Sequence, residues 1–362
     1  MGAYTDTDIA AALSLVFGRP LTMNFTHQTP LLNMLTRVPS TEKSVNFTVQ
    51  FKNGVADAAP ADANVRRSYS DAKEYQYKDV SVPWAYYDDV VSINGRAAAI
   101  ARGRTSVVAN KGTLHKKALS ESVGRLGGGV GAKVFSGTGD ASGTPDLYGL
   151  VHIVDATSTY ILNPATYTTW KSTEQTGSLS SLSFEMLRDL GGAVFDASKE
   201  EVDLYCTTRA LFDDIIGLFG SSTIPYIKEI TVGGRKRKLA EGVRAIEING
   251  GVPVIFDPNC TTKTIYALNT RFWELHQLDY APESMADPDS VTAAMRSLAA
   301  DPAWRLAPGL IDALGSAIRN SEGIVPMFKK LGATGNSDEY VSFVDLQVCC
   351  TRRDVNGKLT LS

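Results

Sequence analysis

The chain has 362 residues, 43% of them hydrophobic, enough for two or three compact units with cores of their own. Its 36 Lys and Arg against 39 Asp and Glu give a net charge of −3, which excludes the strongly basic field of a dedicated nucleic-acid binder. No apolar run approaches the roughly 18 residues of a membrane helix and no signal-peptide core follows Met1. The expectation is a chain made in a reducing cytoplasm, with Cys206, Cys260, Cys349 and Cys350 as free thiols.

The first forty residues carry an apolar patch at 9–17, then Leu31, Leu32, Met34 and Leu35 between Pro30 and Pro39. Too short and too broken to build a core, the segment reads as an arm laid on something else. From Ser44 onward Val45, Phe47, Val49 and Phe51 alternate with Asn46, Thr48 and Gln50, the period of a half-buried strand. After an Ala- and Asp-rich stretch, Tyr75, Tyr77, Val80, Val82 and Trp84 resume an extended pattern. The two runs predict a long two-stranded excursion. Such a ribbon is marginal alone in water and presents unpaired edges, so it needs a neighbour to lie on.

Residues 96–134 form the longest helix candidate, with Ile100, Val107, Leu114, Leu119, Val123, Leu126 and Val130 roughly on one stripe. At ~1.5 Å per residue it spans on the order of 50 Å. Gly103, Gly112 and Gly124 weaken it, each by about 1 kcal/mol relative to Ala, and Gly127, Gly128, Gly129 and Gly131 are expected to fray or end it. A glycine-rich turn over 135–150 follows. Beyond it the pattern predicts a strand at 150–154, a helix capped by Ser183, a strand at 202–206, and a helix bearing Leu211, Ile215, Leu218 and Phe219. Strands and tight turns alternate over 227–256, with further strands at 264–268, 271–278 and 344–348 and amphipathic helices at 291–300 and 310–318. Strands and helices come in runs, which favours α+β over a doubly wound sheet.

Visible catalytic equipment is sparse. Gly137, Gly139 and Gly143 follow a helix, whereas a dinucleotide site needs strand, turn and helix in that order, so they read as a structural turn. G-x-S-x-G and HExxH are absent, and His27, His115, His152 and His276 lie far from one another and from the cysteines. Asp88-Asp89 and Asp213-Asp214 are sequence neighbours whose side chains diverge, so neither is a natural acid/base dyad. Arg235-Lys236-Arg237-Lys238 is the densest charge run. It reads as a solvated hairpin or as a contact with a polyanion or an acidic neighbour. What remains is an arm, a ribbon and a long helix that make sense when covered by other subunits.

In that order these features resemble the major capsid proteins of tailed bacteriophages with the Hong Kong 97 fold, which encapsulins share. The arm leads into an extended loop ending near Val82-Pro83-Trp84, then a long spine helix. Next come Gly137-Thr138-Gly139 and Leu147-Tyr148-Gly149-Leu150, similar to the family's "GTG … GL" stretch. Gly251-Val252-Pro253-Val254-Ile255-Phe256-Asp257-Pro258 looks like its "g.PV..d" element, and Thr264-Ile265-Tyr266-Ala267-Leu268-Asn269 begins the return to a final sheet. The resemblance covers nearly the whole chain.

It implies an N-terminal arm at 1–43, an E-loop at 44–90, a P-domain spine helix and glycine-rich loop at 91–150, and a compact A-domain at 151–263. The P-domain sheet would occupy 264–362, with residues 282–338 as an insertion. The function it implies is structural, not enzymatic: a shell subunit forming hexamers and pentamers of an icosahedral or prolate head around double-stranded DNA. Intersubunit contacts would come from Val45, Phe47, Val49, Phe51, Tyr75, Tyr77 and Trp84, and contact with DNA or at the capsomer axis from Arg235, Lys236, Arg237 and Lys238. No catalytic, metal or cofactor-binding residue is assigned and no membrane contact is expected. Partners would be further copies, a separate scaffolding protein, a portal and a decoration protein. The chain would assemble in the host bacterial cytoplasm and end in the virion. Some relatives crosslink a loop lysine to an asparagine, for which Lys73 or Lys78 and Asn356 are the options here. The competing readings are an encapsulin-like compartment around protein cargo and an unrelated cytoplasmic α+β enzyme.

Overall fold

The computed structural model describes residues 30–40, 42–52, 76–94, 107–139, 145–167, 169–220, 224, 226–227, 229–232, 235–238, 245–248, 251–278, 327–334 and 337–362. The expected apolar patch at 9–17, the start of the long helix, Lys73, Tyr75 and the helices at 291–300 and 310–318 lie outside the described residues, as do the side chains of Phe51 and Arg235 to Lys238.

The described chain opens with the apolar run read as an arm. Leu31, Leu32, Met34 and Leu35 are all buried, and the Leu31 N–H donates to Asp257 Oδ2 at 3.1 Å. What they lie on is their own chain. Strand β1 (Thr36–Ser40) follows, then β2 (Val45–Lys52) and β3 (Gln76–Val82), paired antiparallel with Val45 opposite Val82 and Phe47 opposite Val80. The ribbon ends at Val82, by the Val82-Pro83-Trp84 expected to end it, and β4 (Ala85–Asn94), which begins inside the expected 44–90 loop, leaves it for another sheet. Between them Trp84 is buried, its indole N–H donating to Glu42 O at 2.9 Å.

Helix α1 (Val107–Ser136) runs through the glycines expected to end it. A Cβ at Gly124, Gly128 or Gly129 would meet nothing within 4 Å, so close packing does not demand them. The helix survives their propensity cost because Val123, Leu126, Val130 and Val134 are buried on β4 and the final sheet, and tertiary burial outweighs propensity. At ~1.5 Å per residue it is about 45 Å long. The turn behind it needs its glycines. Gly149 N–H donates to Gly137 O at 2.9 Å and Gly139 N–H to Leu147 O at 3.0 Å, and Gly139 has a φ of 69°. A Cβ at Gly149 would lie 2.7 Å from the Phe135 carbonyl oxygen.

Residues 150–154, expected as a strand, form a helical turn, α2 (Leu150–Ile153), with His152 and Ile153 N–H both donating to Gly149 O. A short buried apolar run does not distinguish the two by periodicity. Then come β5 (Thr173–Gly177), α3 (Phe184–Ser198), β6 (Leu204–Thr207) and α4 (Arg209–Gly217). Ser183 caps α3 as expected, its hydroxyl accepting from Met186 N–H at 3.3 Å. Strands β7 (Tyr226–Ile227), β8 (Glu229–Val232), β9 (Arg235–Lys238), β10 (Ala245–Ile248), β11 (Val252–Phe256), β12 (Thr264–Leu268) and β13 (Trp273–Leu278) follow. The chain closes with β14 (Met327–Thr334), β15 (Ser337–Cys350) and β16 (Gly357–Leu361).

The result is an α+β molecule with two main sheets. A seven-stranded sheet has the order β5-β16-β12-β6-β11-β10-β7, and a five-stranded sheet runs β1-β13-β15-β14 with β4 also on β15. Strands β12 and β16, which the sequence placed with the final sheet, pair instead with β6 and β5 in the seven-stranded one. The chain thus crosses between sheets at 351–356, and that crossing is held by buried polar groups. Arg353, fully buried, donates to the carbonyls of Ile153 and His152 at 2.7 Å, Ser158 at 2.8 Å and Trp170 at 3.4 Å. Asn356 Oδ1 accepts from Trp273 Nε1 at 2.8 Å and Asn269 N at 3.2 Å.

Three variants have expected outcomes for stability in urea. Arg353→Met removes the guanidinium from those carbonyls, of which Ile153 O keeps the Ser172 hydroxyl at 3.2 Å, and should cost about 3 kcal/mol, while an unchanged midpoint would show that water or a shifted loop replaces the guanidinium. Gly149→Ala should cost about 1 to 3 kcal/mol through overpacking, whereas Gly128→Ala, in open space on α1, should gain up to about 1 kcal/mol.

Candidate intersubunit surface

The ribbon is where the sequence put the contact between copies. Along β2 the alternation is as expected: Val45, Phe47 and Val49 point to one side and are buried, while Asn46 and Thr48 are exposed. The burial is internal. The Phe47 ring stands 6.2 Å from that of His276 in β13, and Gln50 N–H donates to Thr351 O at 2.8 Å, tying the ribbon to the sheet crossing. Val45, Phe47, Val49 and Trp84 therefore belong to the chain's own core, which corrects their assignment as intersubunit residues. A period of two shows that one face is buried; it does not show by whose atoms.

The opposite ribbon face is open. Tyr77 is 56% exposed and sits across from Gln50; the Thr48 hydroxyl donates to Asp79 at 2.6 Å. On the other face, opposite Val49, Lys78 Nζ reaches the Tyr167 hydroxyl at 3.4 Å and lies 5.4 Å from that ring's centroid. Asn356, the crosslinking option, is fully buried, and its amide donates to the carbonyls of Arg352 and Arg353 at 3.2 and 3.4 Å. That side chain is not presented to a lysine of another copy.

The basic run forms β9, paired antiparallel with β8 so that Lys238 faces Glu229 and Arg235 faces Val232. Ile230 and Val232 on β8 are buried, with Glu229 and Thr231 exposed, the alternation of a hairpin with one face on the core.

A second exposed surface was not singled out in the sequence. On β4, Ala85 and Val91 are buried, while Tyr86 and Val90 on the alternate face are 57% and 52% exposed. The inward positions reach α1 and the glycine turn: Tyr87 OH donates to Asp146, which Lys133 also holds at 2.6 Å, and Asp89 pairs with Arg125 at 2.7 Å. The segment Ala85-Tyr86-Tyr87-Asp88-Asp89-Val90-Val91 repeats residue types in pairs, which hides a period of two and left it merged with the ribbon.

The shifted titratable groups among the described residues lie at separate places in the fold. Burial pushes the Cys349 thiol well up and that of Cys350 to about 12, which suits inert core thiols. Burial alone would raise the Asp155 carboxyl, but the Lys358 ammonium at 2.7 Å and the backbone N–H groups of Ser158 and Thr157 hold it below the usual carboxylate range. Two acids move the other way. Asp257, which holds Leu31, is pushed up to about 6 by burial, and Asp345 on β15 is pushed up to about 6 by burial and by the charge of Asp88. Asp345 Oδ2 is buried without a hydrogen-bond donor. Among the described residues no group of three or more His, Cys, Asp or Glu is placed to hold a metal ion, and no described helix is long and apolar enough to cross a membrane.

No protein-family model matches this sequence and no curated protein matches it. Solved structures do. The capsid asymmetric unit of cyanophage A-1(L) matches with a TM-score of 0.62 at 14% identity over 91% of this chain and 92% of that one. The capsid of an empty GTA particle matches at 0.52 and 9% identity over 92% and 96%, and mycobacterium phage Bobi at 0.51 and 9% over 92% and 90%. The likeness runs almost end to end in both partners of each comparison, so the chain has the capsid-protein fold its sequence resembles.

Asp345 yields a pH signature. Its folded pKa lies above the ordinary carboxylate value, so its favourable contribution is complete below about pH 4 and is lost as pH rises through about 6. Asp345→Asn should therefore melt higher than the parent chain at pH 8 and no higher near pH 4.5. Equal melting temperatures across that range would mean that the carboxylate is solvated.

Proposed function

We propose that this chain is the shell subunit of a tailed-phage head, forming hexamers and pentamers around double-stranded DNA. The observation that carries the reading is the end-to-end likeness to the cyanophage capsid subunit, at a TM-score of 0.62 over more than nine-tenths of both chains. The distribution of polar and apolar groups fits a mechanical role. Buried histidine and cysteine side chains serve packing, and the long helix forms a stiff beam across the five-stranded sheet.

In this reading the seven-stranded sheet with α3 and α4 forms the A-domain, and α1 with the five-stranded sheet forms the P-domain. The base of the ribbon is fixed on its own chain through Val45, Phe47 and Val49, so what the described ribbon offers a neighbouring copy is its exposed face at Tyr77. Arg235 to Lys238 would touch the packaged DNA weakly or line the capsomer axis. Scaffolding, portal and decoration proteins are the partners such a head needs. The subunit would be made in the host cytoplasm and end in the virion, without catalytic activity.

Expression of the full chain alone or with its phage's scaffolding protein, followed by electron microscopy and analysis of particle contents, tests this. Closed shells or capsomers are expected, and native particles should hold double-stranded DNA. A monodisperse monomer under both conditions would overturn the reading, and protein cargo in native particles would turn it into a compartment shell.

A further inference from the structure

Strand β4 is the longest edge of the five-stranded sheet. Among the described residues it pairs only with β15, register Tyr86 to Asp345, Asp88 to Phe343 and Val90 to Val341. Edge strands in natural sheets are usually blunted by lysine, proline, a bulge or a short length. Strand β4 has ten residues, Ala85–Asn94, with no Lys, Pro or Gly, and its pairing to β15 is without a bulge. Its outward face is apolar at Tyr86 and Val90, both more than half exposed, and the register sets half-buried Val341 and Phe343 beside them. Apolar side chains on either side of a carboxylate, along a strand edge that no other described strand pairs, suit β-strand addition.

On that face stand two carboxylates. Asp88 is exposed, and Asp345, on the neighbouring strand one register pair away, is 4% exposed with Oδ2 unpartnered. Like charges this close on one sheet face are destabilising unless an opposite charge joins them. Nucleic acid does not supply that charge. Two copies meeting by the same face do not either, since they would gather four carboxylates. The complement is a surface carrying Lys or Arg, presented by a different part of another molecule, which is a heterologous contact of the kind that closes rings.

We propose that the outward face and open edge of β4 form an interface with a second copy of the chain, which brings a lysine or arginine to Asp88 beside Asp345. The proposal rests on the shell-subunit reading above and names a contact surface that reading leaves open.

The test uses the full chain in two ways. Val90→Lys and Asp88→Lys alter exposed side chains, so both variants should melt as the parent does yet require at least tenfold more protein to assemble in sedimentation velocity. In the second, particles assembled from mixed light and 15N-labelled parent chains are treated with a carbodiimide, which activates a carboxylate as an O-acylisourea; a lysine amine attacks it to form the amide, and the carbodiimide leaves as its urea. A mixed-isotope peptide joining Asp88 to a lysine of another copy is expected. Variants that assemble at the parent's concentration, or Asp88 peptides joined only within one isotope while other carboxylates crosslink between copies, would overturn the proposal and leave the shell reading standing. A parent chain that never assembles would overturn both.

Discussion

The architecture depends on one buried guanidinium. Between β15 and β16 the chain passes from the five-stranded to the seven-stranded sheet, and at that crossing Arg353 is fully buried with its donors on carbonyl oxygens. A buried cation without a carboxylate partner needs its donors satisfied by fixed acceptors, and four of the five N–H groups of Arg353 are on carbonyl oxygens. Two of its acceptors, His152 and Ile153, are at the C-terminal end of α2, where peptide carbonyls lack intrahelical partners, so cation and helix end satisfy each other. Asn356 does the same work a few residues on, binding the backbone at Asn269 and the indole of Trp273, where the chain crosses between the same two sheets a second time. Asn356 thereby ties the 351–356 crossing to the one at 269–272.

How much of this could be read from the sequence depends on the kind of signal. Where one residue type has one physical use, the reading held: Ser183 at a helix start, and the alternation of Val45, Phe47 and Val49 in a strand. Where local propensity competed with long-range burial, it failed. The glycines from Gly127 to Gly131 cost helix stability, yet α1 continues because its stripe is covered by strands distant in sequence. Sheet membership was the least legible property. Nothing local in Gly357–Leu361 distinguishes a partner in β12 from one in β15, because pairing is decided by the crossing at Arg353 and Asn356, and the sequence shows those two only as polar residues in a turn.

The surfaces show the same division. Apolar alternation marks a buried face, and a sequence contains no statement about which molecule buries it. Val45, Phe47, Val49 and Trp84 had the pattern of a contact and are core; Tyr86 and Val90 lacked the pattern and are exposed. Doubled residue types in β4 conceal its period, and only its fixed register on β15 reveals which side chains share a face. Basic residues in β9 were legible as a charge run, and their hairpin pairing agrees with that reading without adding a ligand.

Internal docking of the arm and the ribbon base changes what association must supply. Ordering a loose segment at the moment of binding costs roughly 1 to 2 kcal/mol per residue of backbone entropy, which is taken from the affinity. Here Leu31, Leu32, Met34 and Leu35 are already seated, with Asp257 receiving the Leu31 N–H, and Gln50 already binds Thr351. In the proposed shell reading, a joining copy would meet a preformed ribbon root and a preformed sheet edge, and each contact could be individually modest because little ordering opposes it.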